Sequence, residues 1–169
     1  LFIQNILSVE IIGIGELGSV NFLGPLGFLA LPLWIFTFGL GEETGWRGFA
    51  LPRLQKDRSA FSATMILAGF WALWHLPMFF YLYQVTILPG FLLGLLSGAI
   101  TFTWLYNSTG GSIPMVVVWH GAFNFVTGCI PCKTGIAAAV LSTLVMVWAV
   151  AIVAWFKPPT LSRYGKEMQ

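Results

Sequence analysis

Six side chains in this sequence have the type and the spacing to do chemistry: Glu42, Glu43 and Arg47, then His75, then His120 and Asn124. Written as a helix, Gly41-Glu42-Glu43-Thr44-Gly45-Trp46-Arg47 puts Glu43 and Arg47 four residues apart on one face, where they can pair. Glu42 is turned about 100° from Glu43 and is not reached by that arginine. Arg47 is therefore expected to hold Glu43 as a structural ion pair, leaving Glu42 as the carboxylate able to take a proton from water. The bland alternative has all three solvated at a helix end just before Pro52 and Arg53, since helix ends tolerate charges that centres do not. His75 lies in Trp71-Ala72-Leu73-Trp74-His75-Leu76-Pro77, and Trp71, four residues earlier, shares its face and can shield or orient the ring. His120 and Asn124 are also four apart. Both can present N–H donors, and two converging donors in a dry pocket stabilise a developing oxyanion. As mere packing, the same pair is an interhelical polar clamp of about 0.6–2 kcal/mol. A water-activating carboxylate, an imidazole and two oxyanion donors are the parts of a peptide hydrolase.

The elements that must position these groups are written for lipid. Of 169 residues, 57% are hydrophobic and 8% charged, against about 25% charged in a soluble domain. That composition excludes a water-soluble globule, and two cysteines exclude a disulfide-dense secreted scaffold. With 8 Lys+Arg against 6 Asp+Glu and no basic patch, no nucleic-acid partner is expected. A bilayer core of about 30 Å takes ~20 apolar residues per helix. Five stretches approach that length: Gly24 to Leu51, Ala60 to Tyr83, Leu88 to Tyr106, Ile113 to Ile130 and Thr134 to Phe156. Leu1 to Val20, with Glu10 and Glu16, reads either as a sixth span or as an interfacial segment. The expected fold is an all-α, polytopic transmembrane bundle of five or six helices with an intramembrane polar site, a single domain over residues 1–169. The chain opens on Leu1 rather than Met, so further helices are expected upstream. Arg53, Lys56 and Arg58 between the first two spans, with Lys157, Arg163 and Lys166 in the tail, fall on one face by parity. The positive-inside rule makes that face cytoplasmic. The plasma membrane of a prokaryote is the expected location. Gly90, Gly94 and Gly98 form a small-residue stripe, expected to pack against a neighbouring helix of the same chain rather than to dimerise.

At its polar residues the sequence resembles the CPBP family of intramembrane endopeptidases, which includes the type II CAAX prenyl proteases. That family's pattern is EExxxR, FxxxH and HxxxN on separate membrane helices. Glu42-Glu43-x-x-x-Arg47 matches the first motif and His120-x-x-x-Asn124 the third. His75 matches the second, with Trp71 where the family has Phe, and Phe70 one step out of register. The resemblance covers roughly Gly24 to Ile130. It implies that Glu42 with His75 deprotonates the attacking water, that Arg47 holds Glu43, and that His120 with Asn124 stabilises the oxyanion, without a cofactor. It further implies a protein or peptide substrate. Eukaryotic members remove the last three residues of prenylated proteins, and many prokaryotic relatives are linked to bacteriocin maturation or self-immunity.

Other chemistries fare less well. Glu42, His75 and His120 form a possible His₂Glu zinc site with an open water position, although no HExxH is present. Ser97 lacks the glycine pattern of rhomboid-type serine proteases, and the lone aspartate, Asp57, excludes an aspartyl dyad. Cys129-Ile130-Pro131-Cys132 is a CxxC without the second cysteine pair a redox relay requires, so a local disulfide or free thiols are expected. A non-catalytic scaffold or immunity protein would keep the polar cluster for packing alone.

Overall fold

The computed structural model of the chain describes residues 26–128 and 135–163. Among these, every regular element is helical. Leu1 to Val20 and the Cys129–Cys132 motif lie outside the described residues.

From Gly27 to Gln55 the chain winds in short turns of changing pitch. Ala30–Trp34 is α-helical, Ile35–Leu40 is π-helical, Gly41–Gly45 returns to α, Trp46–Ala50 is again π, and Leu51–Gln55 closes as α. Local chemistry accounts for part of this. The Thr37 hydroxyl donates to the Leu33 carbonyl at 2.6 Å, and Pro52 brings no N–H to the turn before it. Ala60–His75 follows, its first turn capped by Ser59, whose Oγ accepts from the Ser62 N–H at 3.1 Å. At Leu76 the winding tightens into a 3₁₀ turn, Leu76–Phe80, that contains Pro77. Leu88–Ser108 is the second long helix. It stops where Gly110 and Gly111 take φ of 64° and 82°, left-handed values that favour glycine, and the Gly111 N–H donates to the Tyr106 carbonyl at 2.9 Å. Ile113–Thr127 and Gly135–Phe156 complete the order.

Three described helical runs are long and apolar enough to cross a bilayer: Ala60–Phe80, Val85–Ser108 and Ala139–Phe156. The other two expected spans are helical but differ in kind. The described part of the first, residues 27–51, is broken by its pitch changes and its charged turn. Ile113–Thr127, at 15 residues, rises about 22 Å and falls short of the hydrocarbon thickness. Large apolar side chains point outward, among them Phe80 (85% exposed), Trp155 (75%) and Val150 (70%). In water such a surface would aggregate, and in a membrane it is the lipid face. The chain is an integral membrane protein.

Contacts sort the chain into two compact units. The first combines residues 26–41 with the described residues between 117 and 143. There the helices approach through glycine: a Cβ placed on Gly121 would sit 2.6 Å from the Ile35 Cα, and one on Gly39 would collide with the Val117 carbonyl oxygen. Phe28 and Phe125 stack with ring centroids 5.8 Å apart.

The second unit runs from Glu42 to Val116 and resumes at Leu144. Ala68, Trp71, Leu95, Ala99, Phe102 and Val116 form one core cluster, and Ala60, Ile100, Ala149, Ile152 and Leu161 a second. Thr64 and Thr103 bond hydroxyl to hydroxyl at 2.9 Å across the two long helices. After Phe156 the chain turns through Lys157 (φ 60°) and Leu161 (φ 46°). The carbonyls of Pro159 and Pro158 accept from the Ala60 and Phe61 N–H groups at 2.9 and 3.0 Å. Asn107 Nδ2 donates to the Thr160 carbonyl at 2.7 Å and to Gln55 Oε1 at 2.8 Å. The glycine stripe departs from expectation: a Cβ on Gly90, Gly94 or Gly98 meets no described atom within 4 Å. These glycines are not what lets the two long helices pack. Their partners are the larger side chains on the other faces.

Candidate active site

The charged turn sits in the second unit and is held from one side by the Ala60–His75 helix. Glu43 and Arg47 are fully buried and joined through Oε1 and Nη1 at 3.0 Å, as their four-residue spacing predicts. The solvated-end alternative is overturned for this pair. Two charges removed from solvent need compensation beyond each other. The Arg47 guanidinium lies 4.8 Å from the centroids of both the Trp71 and Phe102 rings, so aromatic faces provide part of what water would have given. Its Nε and Nη2 have no hydrogen-bond acceptor among the described residues.

Glu42 and His75 differ from that pair in being only half-buried. The Trp71 indole N–H donates to Glu42 Oε2 at 2.7 Å. The His75 ring nitrogen Nδ1 lies 2.8 Å from the Trp71 carbonyl oxygen. A carbonyl only accepts, so this contact is a hydrogen bond in the tautomer whose Nδ1 bears the hydrogen. The imidazole sits between the Trp71 ring edge, 5.7 Å between centroids, and Phe91, 5.4 Å away. Trp71 itself is 6% exposed, whereas Phe70 is 60% exposed and turned outward. The aromatic in register with His75 is therefore the one that faces the site.

His120 and Asn124 belong to the first unit, one turn apart on Ile113–Thr127. His120 is buried and Asn124 half-buried. Gly121, next to His120, is where Ile35 comes closest.

The sequence pointed to all six of these residues. It did not give the Trp71–Glu42 bond or the placing of Phe102 and Phe91 around Arg47 and His75, because those contacts depend on how helices distant in sequence pack. Trp71 had a partial signal in its four-residue spacing from His75. Phe102 and Phe91 had none. No cluster of three or more His, Cys, Asp or Glu side chains occurs within either unit among the described residues. An open cavity of about 740 Å³ near Lys157, Thr160, Ser162 and Arg163 contains none of the candidate residues.

The fold and the site together describe an all-α membrane protein in which one tryptophan contacts a half-buried carboxylate, a half-buried imidazole and the arginine of a buried ion pair. Residues 24–126 match the profile of the family described as type II CAAX prenyl endopeptidase Rce1-like. The chain belongs to this family. It is similar to CAAX prenyl protease 2 of Methanococcus maripaludis, with 33% identity over 126 residues, covering 65% of this chain and 45% of that protein. The chain thus spans a little under half the length of that relative. No solved structure matches it.

Proposed function

We propose that this chain is an intramembrane endopeptidase that hydrolyses a peptide bond with water activated by Glu42 and His75. The observation that carries this reading is the contrast within one turn. Glu43 and Arg47 are fully buried against each other, while Glu42 and His75 are half-buried and tied to the same tryptophan. A buried ion pair supports a turn, whereas a half-buried carboxylate and a half-buried imidazole bound to one tryptophan can each meet a substrate.

In the proposed reaction, Glu42 and His75 take a proton from water and the resulting hydroxide adds to the scissile carbonyl carbon. His120 and Asn124 donate to the oxyanion. Collapse of the tetrahedral intermediate breaks the C–N bond, and the captured proton passes to the departing amine. No metal is required in this scheme. The substrate class is a prenylated CAAX-type C-terminus, following the name of the archaeal relative. The loop at 52–58 and the tail face the cytoplasm, as their Arg and Lys residues favour.

The test is cleavage of a farnesylated CAAX peptide by protein reconstituted in nanodiscs. Glu42→Gln is expected to lower kcat by about 10²–10⁴-fold, the usual range for a general base, with the protein still folded. No cleavage by the native chain, with its cellular phenotype intact in Glu42→Gln, would mark a scaffold instead, and full turnover by Glu42→Gln would remove Glu42 from the mechanism. Turnover abolished by a chelator and restored by zinc would replace the metal-free scheme. Cleavage of unprenylated precursor peptides alone would change the substrate class.

A further inference from the structure

We propose that Trp71 is a positioning residue that holds both members of the water-activating pair, and that His75 acts through Nε2. The inference rests on the hydrolytic reading of Glu42 and His75 given above.

Trp71 makes two unlike bonds. Its indole N–H, a donor only, is directed at Glu42 Oε2 at 2.7 Å. That bond occupies one carboxylate oxygen and leaves Oε1 to meet water. Its backbone carbonyl, an acceptor only, lies 2.8 Å from His75 Nδ1 and accepts from an N–H there. In a neutral ring whose Nδ1 bears the hydrogen, Nε2 holds the lone pair and is the basic nitrogen. One residue thus fixes which oxygen and which nitrogen are available.

The tryptophan can do this because it cannot turn. The residue is 6% exposed, with Phe102 at 5.9 Å and the Arg47 guanidinium at 4.8 Å from its ring centroid. Arg47 is itself held by Glu43. The buried ion pair therefore bears on the reactive carboxylate through an aromatic ring, with Trp71 as the link. Phenylalanine, which the FxxxH pattern would place here, fills much the same space and keeps the backbone contact to His75. It cannot donate to Glu42. This chain has a hydrogen bond at a position where the pattern it resembles offers only bulk.

The experiment compares Trp71→Phe with the native chain on the farnesylated peptide, alongside Glu42→Gln. Trp71→Phe is expected to lower kcat by roughly 10- to 100-fold, the range for a hydrogen bond to a charged group, with KM within about twofold. Incorporating benzothienylalanine at position 71 keeps the two-ring shape and removes only the N–H, so the same loss is expected even if Trp71→Phe folds poorly. Native kcat in the benzothienylalanine protein, with Glu42→Gln inactive, overturns the role of Trp71 and leaves the hydrolytic reading standing. Native kcat in Glu42→Gln overturns both. The tautomer is read independently by ¹⁵N spectroscopy of labelled histidine, since the chain has only 2 histidines. A protonated Nδ1 and bare Nε2 at His75 are expected, unchanged in Trp71→Phe. The opposite tautomer overturns the assignment of Nε2.

Discussion

Arg47 is the residue on which the second unit's polar chemistry turns. It is fully buried with Glu43 and lies against two aromatic faces, so each charge is uncovered if the other is removed. Arg47→Met should destabilise the protein by about 3–5 kcal/mol, the usual cost of stranding one buried ion. The double change Glu43→Gln, Arg47→Met should recover much of that loss. Reversible unfolding in mixed micelles measures both. A negligible effect of the single change would mean that water or lipid headgroups already reach Glu43. The pairing was legible in the sequence because a four-residue spacing fixes it locally. Which of the adjacent glutamates stays accessible followed from the same geometry. The indole on Glu42 was not legible, since Glu42 and Trp71 are 29 residues apart and meet only once the helices have packed.

At the level of elements, the glycines divide by what surrounds them. Gly121→Ala would press a methyl onto the Ile35 backbone, with an expected cost of about 1–3 kcal/mol for overpacking and a loss of activity through the neighbouring His120. Gly69 and Gly94 are helical, with no described atom within 4 Å of a new Cβ. Alanine at either should be neutral or stabilising by up to about 1 kcal/mol. Thermal midpoints of the three variants test the contrast, and a strongly destabilising Gly94→Ala would show that the stripe is covered in the assembled protein. The stripe also marks a limit of reading by pattern. A period of four names the face a glycine is on, not whether another helix lies against it. The pitch changes between Ile35 and Ala50 were invisible for a related reason: π turns have no residue signature as clear as the apolar runs that marked the long helices.

For the molecule as a whole, composition was the most informative quantity. The 8% of charged residues made lipid the solvent before any helix was placed. Span ends were read to within a few residues at Ala60, Leu88 and Phe156, where Pro, Gly or charge interrupts the apolar runs. What composition could not supply was the closure of the second unit by residues far apart in sequence. Asn107 is fully buried and joins Gln55, 52 residues before it, to Thr160, 53 residues after it. Asn107→Leu leaves both partners unsatisfied, so a loss of about 1–3 kcal/mol is expected. Greater protease sensitivity in the 157–161 turn should accompany it, read by limited digestion in detergent. That turn also affects how the protein is made. Two backbone donors of the helix carrying Trp71 and His75 wait for the carbonyls of Pro158 and Pro159, which leave the ribosome nearly a hundred residues later. The site helix can enter the bilayer early, yet its first turn is completed only when translation has passed residue 159. A nascent chain stalled before that point carries every proposed catalytic residue and still presents an unfinished helix end to the cell's quality-control proteases.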